Sequence, residues 1–213
     1  MIKRISIISL FLIGLTPLCF AQDSTTYIFQ YDDLREALKA PEKVIRLDLS
    51  NQDLDFSSIT FKKFVNLQYL SLKNDHLNEL PEGLLELKNL RILDLSGNDF
   101  MTLPENFFKL KNLEELYLND ESNLDLNKTL ITLSQLPNLR SLHLENDHLR
   151  DVPIEIARLK SLESLYLNGN ELKGIPPSVG EMSRLKYLEI HHNRIEPSFQ
   201  QNYNPNGNMV IKF

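Results

Sequence analysis

An Asp–His pair occurs twice in the chain, in the same four-residue setting. The stretch Asn74–Leu77, with the sequence NDHL, is repeated letter for letter at Asn146–Leu149. A carboxylate beside an imidazole can carry acid–base catalysis or supply two metal ligands. Two such pairs predict a catalytic dyad or a metal site if they meet in space, and a repeated turn if they do not.

Three further groups of residues could carry chemistry. They are Asp48 with Asp94 as an acid pair of the glycosidase kind, Ser141 with His143 and Asp94 as a serine triad, and Glu189 with His191 and His192 as metal ligands. The sequence shows no nucleophile elbow, and two ligands on one strand are too few for a closed zinc site. We therefore predict a non-enzymatic protein with no catalytic residue, no metal and no cofactor.

The start of the chain predicts export. It reads MIKRISIISLFLIGLTPLCFAQ, with Lys3 and Arg4 followed by an apolar run and then by small residues before Gln22. These features are typical of a secretory signal peptide, here residues 1–21. The single cysteine, Cys19, lies inside it, and the bulky residue before that cysteine disfavours lipid anchoring. We expect a periplasmic, cell-surface or secreted protein.

The charge balance narrows the class of partner. Without the two basic residues of the signal peptide, 21 basic residues face 29 acidic ones, so the net charge is −8. Such a surface disfavours nucleic acid and anionic membranes, and it suits a protein with a basic patch. We predict no segment that spans a membrane, because no later stretch is long and apolar enough.

A repeated pattern organises the rest of the chain. Seven copies begin at Val44, Leu67, Leu90, Leu113, Leu139, Leu162 and Leu185, at intervals of 23, 23, 23, 26, 23 and 23 residues. A fixed period of this length predicts a solenoid, in which each repeat buries its apolar residues only against its neighbours. The consensus L-x-x-L-x-L-x-x-N-x-L resembles that of the leucine-rich repeat family, in its 23-residue bacterial or Ras-group type.

The resemblance implies an α/β solenoid shaped as a curved horseshoe, with short parallel strands on the concave face and helical or 3₁₀ turns on the convex face. It also implies protein binding through the concave face. We expect a capping segment over residues 22–43 with a helix at 32–40, seven repeats over 44–195, and a C-terminal cap over 196–213 with a short strand at its end. The longer fourth repeat predicts a loop near residues 120–128.

One position in the turn after each strand is occupied by asparagine in the consensus, because its amide can satisfy backbone groups there. We call these positions the turn row; its members are Gln52, Asp75, Asn98, Asp147, Asn170 and Asn193, with either Glu121 or Asn123 in repeat four. Asp75 and Asp147 can accept hydrogen bonds like asparagine but cannot donate when ionised, so their turns should differ. The two NDHL histidines are then three repeats, or about 14 Å, apart, too far to share a metal.

The outward positions of the strands predict a binding surface. Tyr117, His143 and Tyr166 occupy one position in three consecutive repeats and should form a flat, exposed strip of rings, and rigid aromatic residues are typical anchors of protein interfaces. The predicted partner-binding residues are Tyr69, Glu115, Tyr117, His143, Glu145, Tyr166, Tyr187 and Glu189. The alternatives are a glycan-binding or weakly hydrolytic surface protein, using Asp48 and Asp94, and a purely structural envelope protein.

Overall fold

The computed structural model describes residues 30–57, 59–197, 199 and 209–213. The predicted signal peptide, with Cys19, lies outside the described residues, as do residues 198 and 200–208 of the predicted C-terminal cap. Within the described part of the chain, no helix combines the length and the apolar character needed to cross a membrane.

Nine short strands in the described residues form one parallel sheet in sequence order. They are β1 (Gln30–Tyr31), β2 (Arg46–Asp48), β3 (Tyr69–Ser71), β4 (Ile92–Asp94), β5 (Glu115–Tyr117), β6 (Ser141–His143), β7 (Ser164–Tyr166), β8 (Tyr187–Glu189) and β9 (Val210–Lys212). Each strand pairs with the next in the register that the repeat predicts, so that Leu70 lies beside Leu93 and Leu116 beside Leu142. The predicted α/β solenoid is confirmed.

The alternation of the strands explains why they form. In each repeat the middle residue points inward, and the leucines at this position, from Leu47 to Leu188, are fully buried. The residues on either side point outward, because successive side chains of a strand leave opposite faces. A strand of three residues is not stable alone, so its stability comes from the repeats stacked on both sides.

The chain returns along the opposite side of the solenoid in short helical turns. The 3₁₀ turns are Pro41–Lys43, Phe61–Lys63, Leu84–Glu86, Glu105–Lys109 and Ile154–Arg158, and the α-helices are α1 (Leu34–Ala37), α2 (Leu126–Leu133) and α3 (Pro177–Gly180). Pro104, Pro153 and Pro176 stand directly before three of these elements. Proline suits a helix start because the N–H it lacks would have no partner in the helix.

The N-terminal end of the solenoid departs in detail from the expectation, whereas the short strand expected at the C-terminal end is present. The cap helix covers only Leu34–Ala37, shorter than the predicted 32–40, and Asp33 caps it by accepting the N–H of Arg35 at 2.8 Å. Pro41 starts a 3₁₀ turn soon after, since proline cannot continue the preceding hydrogen-bond pattern. In addition, β1 extends the sheet beyond the first repeat, and β9 pairs in parallel with β8 at the other end.

The fourth repeat places its extra length in a helix. Instead of a loop through residue 128, the chain forms the eight-residue helix α2, whose N-terminus is capped by Asp125 accepting the N–H of Lys128 at 3.1 Å. Leu126, Leu130 and Leu133 are buried on one side of α2. The helical spacing of these leucines favours an α-helix over the loop, because it buries an apolar face.

A row of asparagines before the strands and a set of residues with positive φ after them shape the turns. Asn66, Asn89, Asn112 and Asn138 each donate a side-chain N–H to a backbone carbonyl of the preceding repeat, at 2.7 to 2.8 Å. This row, just before each strand, was not predicted, although the recurring Asn-Leu pair signals it. The turns after the strands use residues with positive φ, between 56° and 68°: Asn51, Asn74, Gly97, Asp120, Asn146, Gly169 and His192.

A core substitution should reveal the dependence on stacking. Leu142, at the centre of β6, is fully buried, whereas Ile131 on α2 is 44% exposed. We expect Leu142→Ala to lower the free energy of unfolding by about 3 kcal/mol, because it leaves a cavity between two repeats. The control Ile131→Ala should cost less than about 1 kcal/mol. Urea denaturation at neutral pH measures both, and equal losses would contradict this account of the core.

Candidate binding site on the concave face

The rings of Tyr117, His143 and Tyr166 form a stack on three adjacent strands. The register pairs Tyr117 with His143 and His143 with Tyr166. The ring centroids are 3.9 Å and 4.2 Å apart, with interplanar angles of 18° and 6°. We call these three residues the aromatic stack. Since the rings lie face to face, they present their edges to solvent, which corrects the expectation of a flat strip.

His143 is the centre of this stack and is nearly enclosed. Only 8% of the residue is exposed, because a tyrosine ring covers each face. Its Nε2 lies 3.1 Å from Glu115 Oε1 and its Nδ1 lies 3.3 Å from Glu145 Oε2. The imidazole is therefore held by rings on both faces and by carboxylates at both nitrogens, and it is not the freely exposed residue that the sequence suggested.

The surroundings favour the imidazolium form of His143. Burial alone would lower the pKa of His143, but the hydrogen bonds to Glu115 and Glu145 outweigh it and raise the pKa above its ordinary value. Burial likewise opposes the charge of Glu115, yet the bonds from His143 and Tyr117 lower the pKa of Glu115. The hydrogen bond from His143 is the main cause that lowers the pKa of Glu145. One cation and two anions thus stabilise one another.

Further hydrogen bonds fix the two carboxylates. The hydroxyl of Tyr117 donates to Glu115 Oε1 at 2.6 Å, and burial followed by this bond raises the pKa of the Tyr117 hydroxyl. Asn119 and Asn168 donate side-chain N–H groups to Glu145 at 3.2 Å and 3.1 Å. The carboxylates keep some contact with solvent, since their side chains are 29% exposed at Glu115 and 26% at Glu145.

The other predicted partner-binding residues lie toward the two ends of the sheet. Tyr187 adjoins the aromatic stack, with its ring centroid 5.4 Å from that of Tyr166, and its hydroxyl donates to Glu189 Oε2 at 3.1 Å. Lys212 of β9 places its ammonium 5.0 Å from the Tyr187 ring centroid. Tyr69 lies two strands from Tyr117, under the guanidinium of Arg46 at 3.8 Å. Direct contacts therefore connect the predicted residues from Glu115 to Glu189, and Tyr69 lies further along the same sheet.

The serine, histidine and acid needed for a triad do meet, but in a form unsuited to catalysis. Ser141 Oγ lies 3.2 Å from His143 Nε2, and Glu145, rather than the expected Asp94, is at Nδ1. Glu115 Oε1 lies 3.1 Å from the same Nε2, so Ser141 shares this nitrogen with a carboxylate. This arrangement supports a structural role for His143.

Neither the acid pair, Asp48 and Asp94, nor the histidine pair, His191 and His192, forms the site that the sequence raised as a candidate. Asp48 accepts the N–H of Ser50 at 3.1 Å and Asp94 accepts that of Ser96 at 3.0 Å, so both carboxylates turn back to their own strands. His191 Nδ1 lies 3.0 Å from the Nδ1 of its neighbour His192. Among the described residues, no group of three or more histidine, cysteine, aspartate or glutamate side chains is arranged to hold a metal ion.

Asparagines of the turn row connect neighbouring repeats. Asn98 accepts the N–H groups of Asp75 at 3.1 Å and Leu77 at 2.9 Å, and it donates to the carbonyls of Leu72 at 2.8 Å and Leu95 at 2.6 Å. Asn170 repeats this pattern in repeat six. Asn193 accepts one N–H and donates to the equivalent carbonyls.

The remaining positions of the turn row differ. Asp75 accepts the N–H groups of Gln52 and Asp53, and Asp147 accepts that of Glu121. In repeat four the position belongs to Glu121, which accepts the N–H of Asn98 at 2.8 Å. Gln52 departs from its predicted role, because its side-chain amide donates to the cap residue Asp32 at 2.8 Å.

The two NDHL stretches are turns and not a joint site. His76 and His148 follow the acids of the turn row with positive φ, 54° and 56°. After the asparagines, by contrast, Asp99 and Glu171 donate their backbone N–H to a carbonyl of the preceding repeat. The turns of repeats two and five thus differ from those with asparagine.

Two family models match the chain in adjoining segments. One is described as a leucine-rich repeat region and matches residues 42–136, and the other is described as leucine rich repeat and matches residues 137–195. Together they span residues 42–195, more than half of the chain. No curated protein matches it.

Solved structures with the same architecture come from several sources. The chain is similar to a leucine-rich repeat protein of Leptospira interrogans, with 27% identity and a TM-score of 0.50 over 77% of this chain and 53% of that one. It resembles a chain of the Drosophila Toll–Spätzle complex with 21% identity and a TM-score of 0.62, over 81% of this chain and 23% of that one. It also resembles a chain of the TLR13–ssRNA13 complex with 24% identity and a TM-score of 0.65, over 87% of this chain and 26% of that one. The chain spans about half the length of the first structure's chain and about a quarter of the others.

Loss of either carboxylate should change the titration of His143. We expect Glu115→Gln or Glu145→Gln to lower the pKa of His143, because burial then opposes the imidazolium with less compensation. A titration of the His143 ring protons by NMR measures this shift. Glu163→Gln, at a carboxylate paired with Lys186, is the control and should leave the titration unchanged. An unchanged pKa in all three variants would contradict the proposed network.

The same network predicts a pH window for its contribution to stability. Because the pKa of His143 is raised above its ordinary value of 6.5, the imidazolium contributes fully to folding stability below pH 6.5. This contribution is lost as pH rises through the folded-state pKa. Because the pKa values of Glu115 and Glu145 are lowered below their ordinary value of 4.5, the two carboxylates contribute fully to folding stability above pH 4.5. This contribution is lost as pH falls through the folded-state pKa values. Chemical denaturation should therefore show the largest difference between the wild type and His143→Gln between these two ordinary values.

Proposed function

Since this chain belongs to the leucine-rich repeat family, we propose that it is a non-enzymatic protein-binding module that uses its concave face. The observation that carries the proposal is the aromatic stack with its two carboxylates. Its members are ordered before any partner arrives, so that binding would cost little side-chain entropy. Rigid aromatic residues at the centre of a surface are typical anchors of protein interfaces.

The charge of this surface favours a basic partner. Glu115 and Glu145 bring two negative charges, and the imidazolium of His143 compensates only one of them. Both carboxylates keep an exposed fraction of about a quarter, so a lysine or arginine side chain can reach them. The net charge of −8 after removal of the signal peptide points the same way.

Binding through ring faces is less well supported. The faces of His143 are covered by its neighbours, at centroid distances of 3.9 Å and 4.2 Å, so only ring edges remain accessible along most of the stack. A sugar ring would need an open face. This geometry favours a protein or peptide that contacts edges and carboxylates over the glycan alternative.

Structures with this fold occur in complexes with a protein and with RNA, so both partner classes have to be considered. One similar structure is a Toll–Spätzle complex and another is a TLR13–ssRNA13 complex, but at 21% and 24% identity the likeness extends to the fold alone. Our preference for protein rests on the acidic charge of this chain, since nucleic acid binding relies on basic residues. Export likewise remains a proposal that rests on the sequence of residues 1–21.

Substitution of the two tyrosines tests the site. Crosslinking in the native cell, followed by mass spectrometry, identifies the partner, and calorimetry then gives its Kd. We expect Tyr117→Ala combined with Tyr166→Ala to weaken binding about thirtyfold or more, because each removes an anchor and frees His143. The matched control is Met101→Ala with Ile154→Ala, which changes residues exposed by 72% and 66% outside the strand face.

Two outcomes would contradict this assignment. If the tyrosine variant folds normally by circular dichroism and binds as tightly as the wild type, the concave site is wrong. If the ligand that the tyrosine variant fails to bind is a glycan or an RNA and not a protein, the partner class is wrong. A hydrolysis assay on the glycans that bind would then decide whether the surface has activity.

The acidic charges can be tested separately from the rings. Glu115→Gln with Glu145→Gln keeps the shapes of both side chains and removes their charges. We expect this variant to bind a basic partner more weakly and with a smaller dependence on salt concentration, since fewer charges meet at the interface. An affinity that is unchanged at low salt would contradict the role of the carboxylates.

A further inference from the structure

Three acids of the turn row are buried, each with one unsatisfied oxygen. Asp75, Glu121 and Asp147 are exposed by only 3%, 2% and 6%. One carboxyl oxygen of each accepts a backbone N–H of the preceding repeat, at 2.8 to 2.9 Å. The other oxygen, Oδ2 or Oε2, has no hydrogen-bond partner within the described structure. Buried polar atoms are normally paired, so these three require an explanation.

The asparagines at the same position of other repeats show what surrounds the second oxygen. Asn98 and Asn170 accept N–H groups with Oδ1, as the acids do, and use Nδ2 to donate to two backbone carbonyls, at 2.6 to 3.0 Å. One carbonyl belongs to the asparagine's own repeat and the other to the preceding repeat. By the repeat register, the second oxygen of Asp75 takes the place of Nδ2 beside the carbonyls of Leu49 and Leu72.

An ionised carboxylate is poorly suited to this place. Its second oxygen would face carbonyl oxygens, and two acceptors repel each other, whereas a protonated carboxyl has an O–H that can donate as the amide does. The charged groups that act on the three acids are themselves acids. Asp48 and Asp53 act on Asp75, Asp99 and Asp120 act on Glu121, and Asp120, Glu121 and Glu145 act on Asp147.

We propose that Asp75, Glu121 and Asp147 are neutral carboxylic acids in the folded protein, each donating its O–H to one of the two carbonyls that an asparagine amide serves in other repeats. Burial, the largest cause in each case, raises the pKa of all three, to about 8 for Glu121 and Asp147. Repeats two, four and five then contain a pH-sensitive element, and Glu121 and Asp147 lie in the turns that follow the strands of Tyr117 and His143.

The sign of the effect follows from proton binding. With raised pKa values, the folded state holds protons that the unfolded chain releases above its ordinary pKa of about 4. Stability therefore falls as pH rises from about 4 toward the folded-state pKa values, and it levels off above them. Each acid should reduce the folding equilibrium constant about tenfold per pH unit in this range, and an asparagine or glutamine should not.

The experiment compares the wild type with a variant that carries Asp75→Asn, Glu121→Gln and Asp147→Asn. Urea denaturation from pH 5 to pH 9.5 should show that the stability advantage of the variant grows with pH and becomes constant above about pH 8 to 9. The single variant Asp151→Asn, at an exposed side chain, is the control and should follow the wild-type curve. Infrared spectra at neutral pH should show a protonated carboxyl band that is lost in the triple variant.

Three results would overturn the proposal. Parallel stability curves would mean that the acids are ionised in the folded protein. Absence of the protonated carboxyl band from the wild type at neutral pH would mean the same, and this measurement stands even if the triple variant fails to fold. If calcium at pH 9 stabilises the wild type but not single Asp147→Asn or Glu121→Gln variants, a cation and not a proton satisfies the free oxygens.

Discussion

The structure depends on the burial of one fully enclosed leucine at the centre of each repeat's strand. This stacking holds consecutive strands at about 4.8 Å, and the same spacing governs everything that lies outside the core. It is close to the distance at which aromatic rings stack, so equivalent outward residues in neighbouring repeats form the row of Tyr117, His143 and Tyr166. It also lets one side chain of the turn row bond to the backbone of two repeats. The leucines thereby position both the candidate site and its supporting turns.

The sequence predicts features that follow from the period and fails on those that depend on neighbouring side chains. The strand register and the alignment of Tyr117 with His143 follow from counting residues within each repeat, and both are confirmed. The burial of His143 could not be read in this way, because it results from rings and carboxylates of three different strands. Similarly, the choice between Glu121 and Asn123 for the turn-row position of repeat four required the path of the chain through the irregular turn. Helix α2 was missed, and the loop expected near residues 120–128 overlaps its first residues.

Acidic residues serve two opposite purposes in this molecule. On the concave face, Glu115 and Glu145 keep their charge, because an imidazolium and several N–H and O–H donors surround them. In the turn row, Asp147 lies only two residues after Glu145, yet burial and the neighbouring acids raise its pKa. The surroundings, and not the residue type, decide whether a carboxyl group keeps its charge on the concave face or lies buried in a turn. Composition alone therefore understates the variety of roles among the 29 acidic residues.

The extra residues of repeat four have a consequence for how such a surface can change over time. Although this repeat is longer than the others, β5 and β6 pair in the same register as every other pair of strands in repeats one to seven. The surplus is absorbed entirely on the opposite side of the solenoid, in α2. Insertions and deletions in the returning segments are thus uncoupled from the concave lattice. The outer surface can vary in length and shape by mutation while the spacing of the concave-face residues is inherited unchanged.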